Sequence, residues 1–308
     1  MDLKSVVAPY ALNFNAYSPI EPPEEISRRL GISPEQIIKL DANENPYGIP
    51  QGVKTALAQA SNMHIYPDPA QRSVRREIEG YTGIDGDMIV AGAGADELLD
   101  LVCRIFISPG DRVLMFSPSF SYYDHVIRLS RGIPEKIPFL PDFSYDTDTI
   151  RKYDMSRFKA VFLCSPNNPT GVSIPDDTAE FFLQHKNLPV IMDEAYYEFS
   201  GKTWAGRLHN YPNLIILRTF SKIFALAGFR IGYGMMSREL ASVMMAVKPP
   251  YSVTVPSEIA LKACLRETDT YRTQIKQLVI NRDRLIAEIN RLPGFTAFPS
   301  DANFFLCR

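Results

Sequence analysis

Cysteine is scarce, with four in 308 residues, at positions 103, 164, 264 and 307. They lie far apart and form no CxxC pair, which excludes a disulfide framework and a zinc ribbon. They read instead as reduced thiols of a cytoplasmic protein. Histidine is as rare, at 64, 125, 185 and 209 without ligand spacing, so no metal centre is expected. Neither sign of charge dominates: 33 Lys and Arg against 35 Asp and Glu give a net −2. A chain without a basic block is a poor ligand for nucleic acid. No apolar run reaches the ~18 residues that span a bilayer. The first residues lack the continuous apolar stretch of a secretion signal. Membrane and nucleic-acid partners are therefore not expected, and the cytoplasm is the default. Repeats and low-complexity tracts are missing too.

What is present is the balance of a folded globular protein, 45% hydrophobic and 22% charged. At about 150 residues per domain the length suggests two domains. Residues 1–25 carry Pro9, Pro19, Pro22 and Pro23 and read as an arm rather than a regular element. From about residue 88, short apolar runs alternate with helical stretches. The runs are MIVAG (88–92), RVLMF (112–116), AVFLCS (160–165), VIMDEA (190–195), LIILRT (214–219) and RIGYGMM (230–236). Between the first two, 95–107 shows helical apolar spacing. Strands apolar along their whole length and separated by helices predict an α/β sheet covered on both faces, a three-layer α/β/α architecture with a mostly parallel sheet. After Pro249-Pro250 the pattern changes to one or two long helices over 257–291, then strand, turn, strand in FTAFPSDANFFLCR. This part predicts a smaller α+β domain that is incomplete at its C-terminal side.

Open α/β sheets bind ligands beyond the carboxyl ends of their strands. After AVFLCS comes Pro166-Asn167-Asn168-Pro169-Thr170-Gly171, and VIM ends in Asp193-Glu194-Ala195-Tyr196. After LIILR comes Thr219-Phe220-Ser221-Lys222, with Arg230 eight residues beyond the lysine. One lysine, one aspartate, one asparagine and a Ser/Thr/Arg group on one rim are the parts of a pyridoxal phosphate site. The lysine bonds the aldehyde, the carboxylate keeps the pyridine nitrogen protonated, and hydroxyls, an arginine and a helix N-terminus hold the phosphate. Gly92-Ala93-Gly94-Ala95-Asp96-Glu97 follows a strand and opens a helix, which offers the free N–H groups of Ala95 and Asp96 to an anion. Glu97 stands where a dinucleotide fingerprint needs its third glycine, which disfavours a Rossmann site. Each residue also has a plainer use: a surface amine for Lys222, a helix cap for Asp193, a turn for Asn168, an ion pair for Arg230. A carboxylate at the end of a buried strand is costly without a cation, and a pyridinium is one.

SPNNPTG (165–171), DEAYYEF (193–199) and RTFSKIFALAGFRIGYG (218–234) resemble the PLP-dependent fold-type-I aminotransferases. LDANENPYG (40–48), IYPDP (65–69) and GAGADELLDL (92–101) narrow the resemblance to the histidinol-phosphate aminotransferase branch, in the family's order from about Tyr17 to Asn303. The resemblance implies that Lys222 is the Schiff-base lysine and proton shuttle, and that Asp193 pairs with the pyridine nitrogen. Asn168 and Tyr196 would hydrogen-bond the 3′ oxygen, and Tyr123 would stack on the ring. Ala95, Asp96, Thr219, Ser221 and Arg230 would bind the phosphate. Tyr66 would reach the phosphate of a neighbouring subunit in a homodimer. Tyr17 and Asn45 would line the substrate side. The division implied is 1–38 as arm and part of the small domain, 39–248 as the large PLP-binding domain, and 249–308 as the small domain. The family also has an arginine beyond the DANFFL strand that clamps the substrate carboxylate, and Arg308 does not match it. The implied reaction moves an amino group from L-histidinol phosphate to 2-oxoglutarate. Aromatic amino-acid transamination, decarboxylation of threonine phosphate, and a PLP-binding but inactive chain stay open as alternatives.

Overall fold

Seven strands, most of them runs of aliphatic residues, assemble into one sheet: β1 (Ile89–Gly92), β2 (Arg112–Ser117), β3 (Ile133–Pro138), β4 (Ala160–Cys164), β5 (Val190–Asp193), β6 (Leu214–Thr219) and β7 (Gly232–Met235). The computed structural model describes residues 1–12, 14 and 21–308. The strand order is β1-β7-β6-β5-β4-β2-β3. All neighbours are parallel except β7, which runs antiparallel to both β1 and β6.

The all-apolar strands follow from two buried faces. Along β4, Val161 and Leu163 enter one core cluster, while Ala160, Phe162 and Cys164 enter the other. Along β6, Leu214 and Ile216 face the first cluster, and Ile215 and Leu217 the second. This alternation is the period-2 geometry of a strand, here with both sides covered. The helix Ala95–Phe106 covers the second face with Leu98, Leu99, Leu101 and Val102. The resulting layers are α/β/α, as the sequence predicts.

Six of the seven strands coincide with the predicted runs. The seventh, β3, reads IPEKIP, with two prolines and only Ile137 buried. It lies at the sheet edge beside β2, where a missing N–H is tolerated. Its lack of a continuous apolar run hid it. The N-terminal arm, expected to be irregular, contains short helices at Leu3–Val6 and Pro9–Leu12 and a longer one at Pro23–Leu30. Region 257–291 resolves into two helices, Val255–Leu265 and Thr268–Ile289. The first packs on the helices Gln51–Ala58 and Arg72–Thr82, and its Ala260, Leu261 and Cys264 belong to the sheet's own core. The expected final strand–turn–strand is reduced to a bridge between Ala297 and Cys307, flanked by Thr296–Arg308 and Phe298–Leu306 backbone bonds. No helix among the described residues is long and apolar enough to cross a membrane.

One charged pair is locked inside this frame. Arg218 on β6 donates to Glu194 from Nη2 at 2.8 Å and Nε at 2.9 Å, and the two side chains are 3% and 1% exposed. The guanidinium lies 3.4 Å from the centre of the Tyr197 ring, and Glu194 also accepts from Thr203 Oγ1 and the Trp204 N–H. Removing one partner strands the other charge in a dry site. Glu194→Ala is therefore expected to cost about 3–5 kcal/mol of stability, read as a lowered urea midpoint. Glu194→Leu combined with Arg218→Met should restore a large part of it.

Candidate active site

The register brings the ends of five strands to one rim. Cys164 of β4 pairs with Asp193 of β5, and Thr219 of β6 pairs with Gly232 of β7, which in turn pairs with Gly92 of β1. Beyond this rim lies a cavity of about 660 Å³. Ala95, Asp96, Asn168, Asp193, Tyr196, Thr219, Ser221, Lys222 and Arg230 all line it, so nine residues predicted from separate segments meet in one place.

Lys222 follows β6 on a loop, and its Nζ donates to the Ala42 carbonyl at 2.9 Å. Burial lowers its pKa from the ordinary lysine value, against the opposing pull of Asp96, Glu44 and Asp193. Asp193 is 4% exposed; Oδ2 accepts from the Tyr123 hydroxyl at 2.6 Å and Oδ1 from the Ala195 N–H at 3.0 Å. Burial raises its pKa to about 6, although both hydrogen bonds act to lower it. The Tyr196 hydroxyl accepts from Asn43 Nδ2 at 3.2 Å, and its ring centre lies 5.4 Å from Lys222 Nζ.

The opposite end of the cavity is built for an anion. Gly94, at φ +82°, turns the chain from β1 into the helix that begins at Ala95, leaving the first N–H groups of a 12-residue helix unpaired within it. A Cβ on Gly94 would run into the Arg230 guanidinium. A Cβ on Gly232 would lie 2.6 Å from the Ala95 nitrogen and 2.8 Å from the Arg218 carbonyl, so β7 can approach the helix start only as glycine. Thr219 Oγ1 donates to Ser221 Oγ at 2.8 Å, and Arg230 Nη2 to Asp96 Oδ2 at 2.9 Å. The latter pair is about half exposed and so holds the guanidinium only loosely.

Two expected roles are corrected by the geometry. Tyr123 is 1% exposed and lies outside the cavity lining, its ring held edge-on by Phe120 and Phe162 and its hydroxyl spent on Asp193. It therefore cannot stack on a ring in the cavity; Phe120, three residues earlier, faces it instead. In PSFSYY the sequence offers three aromatics, and only the turn into the helix Ser121–Leu129 decides which one points outward. Asn45 is likewise buried and committed: Nδ2 donates to the Ile223 carbonyl at 2.6 Å and Gln274 Oε1 at 2.9 Å, and Oδ1 accepts from the Tyr47 N–H. It fastens the ANENPYG loop to the lysine loop rather than facing substrate. Asn43 and Glu44 take the lining positions, with Asn43 at a positive φ of 54°. Sequence reasoning missed these two, although they sit in the quoted motif. Tyr66 is 78% exposed, outside this cavity, and stacks on Tyr251 with ring centres 4.6 Å apart. Tyr17 lies outside the described residues.

Residues 35–308 match the family of aminotransferase class I and II. The chain belongs to this family. It is similar to the histidinol-phosphate aminotransferase of Dehalococcoides mccartyi, with 37% identity over all of this chain and 84% of that one. The chloroplastic enzyme of that name from Nicotiana tabacum is 41% identical over 98% of this chain and 73% of its own length. In fold it resembles the crystal structure of histidinol-phosphate aminotransferase from Sinorhizobium meliloti in complex with pyridoxal-5′-phosphate, with a TM-score of 0.87 at 24% identity over 98% of this chain and 82% of that one. The aminotransferase is thus a pyridoxal phosphate enzyme of the three-layer type predicted. Its residues fit that group: a dianion end made of a helix start, two hydroxyls and a guanidinium, a buried carboxylate for a ring nitrogen, and an amine for an aldehyde.

Asp193 gives this site a pH signature without any ligand. Its folded value of about 6 lies above the ordinary 3.8, so the folded chain holds a proton that the unfolded chain has lost between those values. The stability from this group is complete below pH 3.8 and is lost as pH rises to about 6, a change of about 3 kcal/mol. Asp193→Asn should remove that component. In urea titrations of ligand-free protein, the variant's advantage over the natural chain should be about 2 kcal/mol larger at pH 7 than at pH 4.

Proposed function

We propose that the aminotransferase transfers the amino group of L-histidinol phosphate to 2-oxoglutarate, a step of histidine biosynthesis, giving imidazole-acetol phosphate and L-glutamate. The observation that carries the chemistry is the convergence of Lys222, Asp193 and the Gly94–Asp96 anion cradle on one cavity. The substrate is supported by relatives at 37–41% identity that bear the name histidinol-phosphate aminotransferase.

When bound, pyridoxal phosphate supplies an electron-withdrawing ring that takes up the charge left when an amine-bearing carbon loses its proton. Lys222 Nζ is the amine that would bond the aldehyde, and as a free amine it would move the proton of the substrate's Cα, a task eased by its lowered pKa. Asp193 holds a proton at the ring nitrogen. Asn168 and Tyr196 would take the ring oxygen, and Phe120 would offer a flat apolar surface to the ring. Thr219, Ser221, Arg230 and the N–H groups of Ala95 and Asp96 hold the phosphate.

The same reading makes the enzyme a cytoplasmic homodimer. Tyr66, exposed and stiffened by its stack on Tyr251, completes the phosphate site of the partner subunit.

Borohydride reduction of the loaded enzyme should fix the cofactor on the peptide carrying Lys222, as read by mass spectrometry. Lys222→Ala should abolish that mass shift and lower turnover by about 10⁴-fold. Incubation with L-histidinol phosphate and 2-oxoglutarate should yield glutamate at a rate well above that with phenylalanine. Threonine phosphate should give no carbon dioxide. Failure with every donor, with the cofactor still fixed on Lys222, would establish the inactive alternative.

A further inference from the structure

The hydrogen bond from Tyr123 to Asp193 comes from a residue outside the cavity lining to one within it. Tyr123 is the third residue of the helix Ser121–Leu129, and its hydroxyl meets Asp193 Oδ2 at 2.6 Å, short for a neutral donor and typical of one facing a carboxylate. The ring is clamped edge-on by Phe120 at 5.5 Å and Phe162 at 5.5 Å, so the phenol has one direction to point. The other carboxylate oxygen, Oδ1, is taken by the Ala195 N–H at 3.0 Å. An ionised carboxylate offers about four acceptor positions, and two are filled from inside the protein. Asp193 nevertheless lines the cavity, so the remaining capacity faces inward to it. No ion-pair partner of Asp193 exists among the described residues.

We propose that Tyr123 is a positioning residue whose hydroxyl fixes Asp193 from behind and so sets where the proton lies between that carboxylate and the ring nitrogen of bound pyridoxal phosphate. The inference rests on the cofactor reading above and goes beyond it by naming the residue that tunes the carboxylate. The physical argument is one of basicity. Every hydrogen bond donated to a carboxylate makes it a poorer base, and Tyr123 is the largest influence that opposes the effect of burial on Asp193. Burial and the neighbouring Asp193 push the phenol's own pKa far above its usual value, so it stays a donor throughout the working range. With the donor present, the proton stays on the ring nitrogen and the ring is a strong electron sink. With the donor removed, the carboxylate competes for that proton and the sink weakens, while the substrate contacts of the cavity are untouched.

The test uses full-length enzyme loaded with pyridoxal phosphate labelled with ¹⁵N at the ring, compared between the natural chain and Tyr123→Phe. The natural chain should show the chemical shift of a protonated ring nitrogen. The variant should move toward the value of neutral pyridine and lose about tenfold in kcat, with KM changed less than twofold. Should Tyr123→Phe not fold, 3-fluorotyrosine placed at 123 keeps the shape and strengthens the donor, and it should hold the nitrogen signal at the protonated value to higher pH. An unchanged nitrogen shift in Tyr123→Phe, or a fluorinated protein whose nitrogen signal leaves the protonated value at the same pH as the natural chain, overturns the proposal and leaves the cofactor reading intact. A natural chain that shows no bound-cofactor signal overturns both.

Discussion

Two ionisable groups, Asp193 at the end of β5 and Lys222 on the loop after β6, are withdrawn from water at one rim, and neither forms a salt bridge with another described residue. A folded chain ordinarily avoids such an arrangement, because each desolvated charge costs several kcal/mol unless it is paired. Here the penalty is expressed in opposite directions, upward for the carboxyl and downward for the amine. Both shifts bring the groups toward neutrality: the neutral amine is the form that can bond an aldehyde, and a protonated ring nitrogen would supply the cation that the carboxyl lacks. The site is thus poised for a molecule that offers a basic ring nitrogen and an aldehyde.

The rest of the fold can be read as support for that poise. The parallel strands β4, β5 and β6 deliver Cys164, Asp193 and Thr219 in register, and the reversal at β7 returns the chain so that Arg230 reaches the same rim. Glycine at 94 and 232 lets two backbone segments come close enough to leave the helix start open. Behind the rim, the Glu194–Arg218 pair satisfies its own charges completely. The contrast with Asp193, the residue immediately before Glu194, is instructive: neighbouring acids on one chain are given opposite fates, one neutralised by the protein and one kept for a ligand.

Much of this was legible in the sequence because the sheet is buried on both faces. Six strands announced themselves as unbroken apolar runs, and the polar residues that interrupt those runs at their carboxyl ends proved to line one cavity. Legibility failed where the physical signal is not periodic. β3 lies on an edge and needs no apolar run. Tyr123 and Asn45 share their motifs with residues of the same type, and which neighbour faces the cavity is set by the angle at which a helix or a loop leaves the rim. Asn43 and Phe120 take those places for that reason, and nothing in the order of letters distinguishes them.

The segment between Thr219 and Gly232 is fastened at both ends to the anion cradle, by Thr219 and Ser221 at one side and by Arg230 at the other. Lys222 is carried on that segment, and Asn45 pins it from outside through the Ile223 carbonyl. The reach of the reactive amine is thus governed by two abutments rather than by its own flexible stem. A phosphate seated in the cradle would touch both abutments, so the contacts that anchor the cofactor lie on the same segment that carries the reactive amine.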